Sequence, residues 1–445
     1  MRVCGFFQNS RIFRVISPMV GKGDSPSLVS FPSTPGKEAD VALTARLLFL
    51  ICWTSGCWAF SFGLGSQVVT HWLKAQGCSD TVVGLAHSFY YFGVAAGSCA
   101  VPWLTRRFGP TWCATAGMIA AGITLAAFPW GGDPASWYLL RFLNGWAGAM
   151  SLVPLESIVS RDSLPDKKTT NFAFYGVSLT VGGALGIGIG LNLYEPGNTL
   201  AFYLGGSVPI VAGLILLRGM GMSGPERQRG TSASPSGALG LGQTHGWTRN
   251  FLSYGTAWFQ GFLEGGMLAF LSLFLIARGF STEVAGILMG VTMIGVIVFQ
   301  VPVAWLADRW GKTPMLFACY AAVALGLLAI PWLSQTMVLA LGLFIFGACT
   351  GAMYPLGLSL LGDNMPEAAL PRAYAWYLAI ECVGSQAGAA AMGKARDQWG
   401  EAAMFAVGFA ALVVVLAAWL GLQLLLRKWK NPAGQSPAEE RRIAA

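Results

Sequence analysis

W-L-A-D-R-W-G-K-T (residues 305–313) repeats, at an offset of 202 residues, the stretch W-L-T-R-R-F-G-P-T (residues 103–111). Each copy is a short basic turn between two apolar stretches, with glycine at the same place, Gly109 and Gly311. At the same offset Gly84 matches Gly286 and Gly93 matches Gly295, so the likeness reaches back into the preceding apolar stretch. A constant offset of this length marks two related halves. In a membrane protein, related halves usually enclose a path between them.

Composition puts the chain in a membrane. Hydrophobic residues make up 54% of its 445 residues and charged residues 11%, against about 25% charged in a soluble domain. So few charges cannot cover a water-facing surface of this size. The apolar runs are far longer than the roughly 10-residue alternating strands of an outer-membrane barrel, which selects helices. Twelve spans are read, near 46–70, 81–104, 111–131, 136–158, 171–193, 200–218, 251–276, 283–306, 314–333, 336–359, 373–393 and 402–425. Each approaches the ~20 residues that cross a hydrocarbon core. Pro331 and the polar residues after it divide a charge-free run too long for one helix.

Lys and Arg are biased toward the cytoplasmic side of a membrane protein. With both termini cytoplasmic, 23 of the 28 fall on that side and 4 on the other, while Arg141 lies within a span. The fold class expected is an all-α membrane protein of twelve transmembrane helices in two pseudo-symmetric six-helix bundles, both ends inside. The bundles are expected over 46–218 and 251–426, with cytoplasmic tails at 1–45 and 427–445 and a Ser-, Pro- and Gly-rich linker at 219–250. The net charge of +8 follows from the same bias and does not point to nucleic acid.

The absences narrow the function. There is no Walker loop, no H-E-x-x-H and no C-x-x-C, so the chain reads as neither an ATP-driven pump nor an enzyme, with no metal or cofactor expected. The nine cysteines show no framework spacing and read as small buried apolar residues.

The turn A-D-R-W-G-K resembles the signature loop of the major facilitator superfamily, G-x-x-x-D-R-x-G-R/K, with Asp308, Arg309, Gly311 and Lys312 in register. The first-half copy has Arg106 at the aspartate position, followed by Arg107 and Gly109. The resemblance covers about residues 45–426 and implies a transporter that rocks two bundles about a midplane site. It implies a gating latch at these turns, with the aspartate holding a neighbouring helix N-terminus or an arginine. Glu156 and Asp363, near cytoplasmic helix ends, are expected to pair with arginines such as Arg106, Arg161 or Arg309. L-E-G-G-M-L-A-F-L-S-L-F-L, G-A-M-Y-P-L-G and P-L-E-S add a looser likeness to a drug-efflux-like bacterial branch with sugar-transporter-like relatives of unknown substrate. The glycine–proline pattern of proton-driven drug exporters is not met, since Ile187 follows Gly186.

Ionisable groups at membrane depth are the strongest functional candidates. Glu264 lies just past the middle of the seventh span with Gln260 one turn earlier, and Glu381 lies in the eleventh with Tyr377 on the same face. In the fourth span Arg141 shares a face with Asn144; it either faces protein and a wet cavity or snorkels to the headgroups. His87 is either a proton relay or a packed histidine. From the family's usual cavity lining, Trp58, Gln67, Asn144, Gln260 and Tyr354 are expected to face the substrate. Small-residue runs at 182–190 and 384–393 serve either static packing or a sliding contact between the halves. The reading is a monomeric secondary transporter of a bacterial inner membrane, embedded in the lipid bilayer and moving a small organic solute, with protons as the coupling partner. An uncoupled facilitator and a non-transporting sensor or assembly factor remain the alternatives.

Overall fold

The computed structural model describes residues 43–163, 168–220, 248, 250–366 and 370–430. The tails and linker read from the sequence lie almost wholly outside the described residues. Among these, every regular element is helical. The first half contributes α1 (Ala45–Ala75), α2 (Asp80–Phe108), α3 (Pro110–Ala126), α4 (Pro134–Asp162), α5 (Lys168–Leu193) and α6 (Leu200–Met220). The second contributes α7 (Phe251–Ala277), α8 (Thr282–Trp310), α9 (Lys312–Ala329), α10 (Thr336–Asn364), α11 (Leu370–Trp399) and α12 (Ala403–Lys430). A 3-10 turn at Phe128–Trp130 follows α3, and another at Ile330–Trp332 follows α9. The second breaks the long apolar run at Pro331, as the sequence suggests.

Among the described residues, eight helical segments are long and apolar enough to cross a membrane. The twelve-span reading differs at α2, α3, α4 and α11. The apolar helix α3 has only 17 residues. The other three carry polar groups such as His87, Arg141 and Glu381 along faces turned toward protein, and a covered face needs no lipid-like composition. Outward faces of the bundle are apolar, as with Phe49, Ile123, Leu325 and Val414, each more than half exposed. Such a surface suits lipid, and the chain is a multi-pass membrane protein.

The repeat is carried into three dimensions. Ser79 and Ser281 cap α2 and α8 by accepting hydrogen bonds from the Val82 and Val284 amides at 3.4 and 3.3 Å. Gly109 and Gly311 end the same two helices at φ of +89° and +96°, a region that side chains disfavour, and their N–H groups donate to Thr105 O and Ala307 O. Close helix contacts repeat too. A Cβ on Gly93 would stand 2.0 Å from Phe142 O, and one on Gly295 would stand 2.2 Å from Phe344 O.

The small-residue runs pack within each half. Gly182, Gly186 and Gly190 of α5 lie on Gly56, Phe60 and Leu64 of α1, while Gly384 and Gly388 of α11 lie on Trp258 and Phe262 of α7. Another face of the same helices meets the opposite half. Gly393 of α11 touches Asp80 of α2, and Gly188 of α5 faces Gly286 of α8. Both readings of these stretches therefore have residues to carry them. The halves meet along α2–α11, α5–α8 and α1–α7.

Candidate functional site

Midway along α1 and α7, a cavity of about 330 Å³ opens between the halves. Trp58, Phe62 and Gly63 of α1 and Thr180, Gly183 and Ile187 of α5 form the first-half wall. The second half contributes Gln260, Glu264, Met267 and Leu271 of α7, Met289, Thr292 and Met293 of α8, and Phe346 and Thr350 of α10. The wall is largely apolar.

Glu264 is the acid in this lining. It presents its side chain to the cavity, although protein surrounds that space on both sides. Among the described residues it has no hydrogen-bond or ion-pair partner. One turn earlier the carbonyl oxygen of Gln260 is buried and also lacks a partner. Spacing of four residues puts both groups on one helix face. Across the cavity Trp58 stacks on Phe62 at 5.5 Å, and Phe62 stacks on Tyr90 at 5.1 Å.

Behind that aromatic layer lies Arg141. It is 2% exposed, so it neither snorkels nor lines the cavity. Its guanidinium sits 4.6 Å from the Tyr90 ring centre, and its Nε and Nη2 have no hydrogen-bond acceptor. Tyr91 on α2 lies within electrostatic reach of Arg141 and of both Glu264 and Glu381, and its hydroxyl is buried without a partner. Glu264 and Glu381 are near enough to repel one another. The buried centre thus holds a cation on the first half, two acids on the second, and Tyr90 and Tyr91 on α2 close to them. His87 is buried and shares a hydrogen bond of 2.8 Å with Thr70.

Several sequence expectations are corrected. Asn144 does not face the cavity; its Nδ2 donates to Ala121 O and Thr124 Oγ1, both at 2.9 Å, and ties α4 to α3. Tyr354 and Tyr377 are set apart from the cavity lining and pack on one another, with the Tyr377 hydroxyl donating to Tyr354 O at 3.0 Å. Glu381 sits close to Glu264 but outside the lining as well. Gln67 is fully buried, donating to Leu268 O across the halves at 3.0 Å. A helix's place in the bundle does not fix which of its faces meets the cavity.

The turns are corrected too. Asp308 is exposed and has no partner among the described residues, so the expected latch is not formed in this conformation. Arg309 lies over the Trp305 ring at 3.8 Å, and Arg107 lies 5.7 Å from Trp103, while Arg106 is exposed. Lys312, rather than an arginine, pairs with Asp363 at 2.6 Å. Glu156 accepts a hydrogen bond from the Tyr175 hydroxyl at 3.4 Å and lies within electrostatic reach of Tyr354 on the other half. It faces inward more than a loop-level ion pair requires.

Sequence reasoning missed a fastening at the opposite end, where α1 turns into α2. Arg396 of α11 pairs with Asp80 of α2 at 3.0 Å, and Lys74 approaches the other Asp80 oxygen at 2.9 Å. The neighbouring Asp397 accepts the Asp80 and Thr81 amides at 2.8 and 2.7 Å, capping α2 from the other half. Arg396 also pairs with Glu401. Deeper in, His71 meets Ser272 at 3.2 Å and Ser88 donates to Gln386 O at 2.7 Å. Short-range spacing could not reveal partners that stand 201 to 317 residues apart in the chain.

Comparison with known proteins agrees with this architecture. The family model described as Major Facilitator Superfamily matches residues 48–389 and again 254–444. Among relatives, an uncharacterized MFS-type transporter, YfkF, of Bacillus subtilis is 25% identical over 88% of this chain and 97% of its own length. The uncharacterized MFS-type transporter YcaD of Salmonella arizonae is 25% identical over 84% of this chain and 92% of its own. Among solved structures, nucleoside transporter NupG aligns with a TM-score of 0.70 at 15% identity, covering 85% of this chain and 99% of that one. A D-xylose-proton symporter aligns with a TM-score of 0.67 at 14% identity, over 83% and 97% of the two chains. With two related halves, a cavity between them and a family match along nearly the whole described length, the chain belongs to the Major Facilitator Superfamily of membrane transporters.

Proposed function

We propose that this protein is a secondary transporter that carries a small organic solute across a bacterial inner membrane by alternating access, with protons as the coupling ion. The observation that carries this reading is the unpaired Glu264 carboxylate, midway along α7 and exposed to a cavity between the halves. A carboxyl group with no fixed partner in such a place is free to exchange a proton for a ligand as the cavity changes sides. In this reading the polypeptide crosses the bilayer twelve times with both termini cytoplasmic. The moving bodies are residues 46–218 and 251–426, joined by the linker at 219–250, and one copy suffices.

The fastening at Asp80, Arg396 and Asp397 closes one end of the cavity, and transport requires it to open. Arg141 sets a positive charge near the Tyr90–Tyr91 pair, opposite the two acids. Flux into reconstituted vesicles, with and without an imposed pH gradient, tests the coupling. Gradient-dependent flux that is lost in Glu264→Gln supports it. Flux of equal size with no gradient and in Glu264→Gln shows an uncoupled facilitator instead.

A further inference from the structure

We infer that the cavity takes an aromatic or otherwise apolar organic ammonium ion, held by Glu264 and Gln260 and covered by Trp58 and Phe62. The inference deepens the transport reading and rests on it. Its basis is the unpartnered acid and carbonyl oxygen in a lining that holds no cation. Glu264 brings a carboxylate without a partner, and Gln260 brings a buried carbonyl oxygen without a partner, one helical turn away. Glu264 accepts hydrogen bonds, and Gln260 accepts through its carbonyl oxygen while its amide nitrogen keeps donors of its own. Among the described residues the lining itself holds no cation, and Arg141 stands behind Tyr90, outside the wall. A ligand that brings a donor and a positive charge therefore satisfies the Gln260 oxygen and compensates Glu264.

The rest of the wall fits the same ligand. Trp58 and Phe62 form a stacked aromatic surface, and such faces attract cations. Met267, Met289 and Met293 add soft, adaptable surface that accommodates rings of varied outline. At about 330 Å³ the space stands at the small end of the ~300–1,000 Å³ range of ligand pockets. An anionic solute would meet Glu264 with no cation in the lining to offset the repulsion. A polyhydroxylated solute would leave most of its hydroxyls against apolar side chains.

The probes are phenethylammonium, its uncharged relative ethylbenzene and the anion benzenesulfonate, added to the purified full-length protein. Binding is read by calorimetry, and flux by counterflow of labelled phenethylammonium in proteoliposomes. The expected result is that phenethylammonium binds in preference to the other two and that Glu264→Gln weakens it by about ten- to a hundredfold. Gln260→Leu is expected to weaken it less. Thermal melting of both variants shows that they remain folded, and Glu264→Asp, which keeps the charge, restores part of the affinity. Preference for benzenesulfonate or ethylbenzene, absence of phenethylammonium binding, or unchanged affinity in Glu264→Gln overturns the inference. Glu264-dependent binding without counterflow leaves the ligand class standing and removes the transport reading.

Discussion

Asp80 and Arg396 form an ion pair of 3.0 Å between α2 and α11, with both side chains almost wholly removed from solvent. It joins two helices that belong to different halves of the chain. Taking one charge away leaves the other buried with weaker compensation, which typically costs more than the pair contributes. Asp80→Asn is therefore expected to favour a conformation parted at this end. Spin labels at the exposed Gln76 and Gln398 measure the change: a longer-distance population grows in the variant. An unchanged distance distribution would show that the pair does not hold the halves together.

Gly84 and Gly286 are equivalent by the 202-residue offset but differ in space. A Cβ on Gly84 would lie 2.2 Å from Ala389 O, whereas one on Gly286 would first meet the Asn192 Nδ2 at 3.5 Å. Gly84→Ala should thus lower stability by roughly 1–3 kcal/mol through forced separation of α2 and α11. Gly286→Ala should be neutral or gain up to about 1 kcal/mol, since alanine is the better helix former. Thermal unfolding in detergent distinguishes the two. Equal losses would contradict the closer packing of the α2–α11 contact.

Arg141 is a buried cation held by a ring face rather than a carboxylate. Replacing such a charge with an apolar side chain of similar length is often neutral or stabilising. The expectation for Arg141→Met is a melting temperature equal to or above that of the parent, together with a marked loss of flux. Arg141→Lys should keep part of the flux, because a charge remains near Tyr91. A variant that melts much earlier and transports normally would assign Arg141 to structure alone.

The turn at Gly311 separates backbone need from charge. Its φ of +96° is costly for an L side chain, so Gly311→Ala should destabilise by about 1–2 kcal/mol. Lys312→Met breaks an exposed pair with Asp363 and should change stability by less than about 1 kcal/mol. Thermal unfolding of the two variants checks the order. The reverse order would place the importance of this turn in its charge.

The repeat offset was the most informative feature of the sequence because it reports shape. Gly93 and Gly295, or Gly109 and Gly311, recur where the backbone must come close or turn, and no larger residue meets that need. Charge and depth single out Glu264, and Gln260 follows from its place one turn earlier and from the family's usual cavity lining; both line the cavity. Asn144, Tyr354 and Tyr377 do not, because helix number does not give helix rotation, and each found a partner inside its own half. Asp308 matches a motif in sequence, yet it is exposed and has no partner among the described residues. The Asp80–Arg396–Asp397 fastening is a property of the assembled halves, so nothing local in the chain announces it.

The central claim is that the Glu264 cavity must open at the end now fastened by α2 and α11. In a background without the nine native cysteines, cysteines at Thr81 and Asp397, joined by a short bifunctional cross-linker that reducing agent cleaves, pin that end shut. The expected result is that flux in vesicles stops on cross-linking and returns on reduction. Full flux with the cross-link in place would contradict alternating access through this cavity.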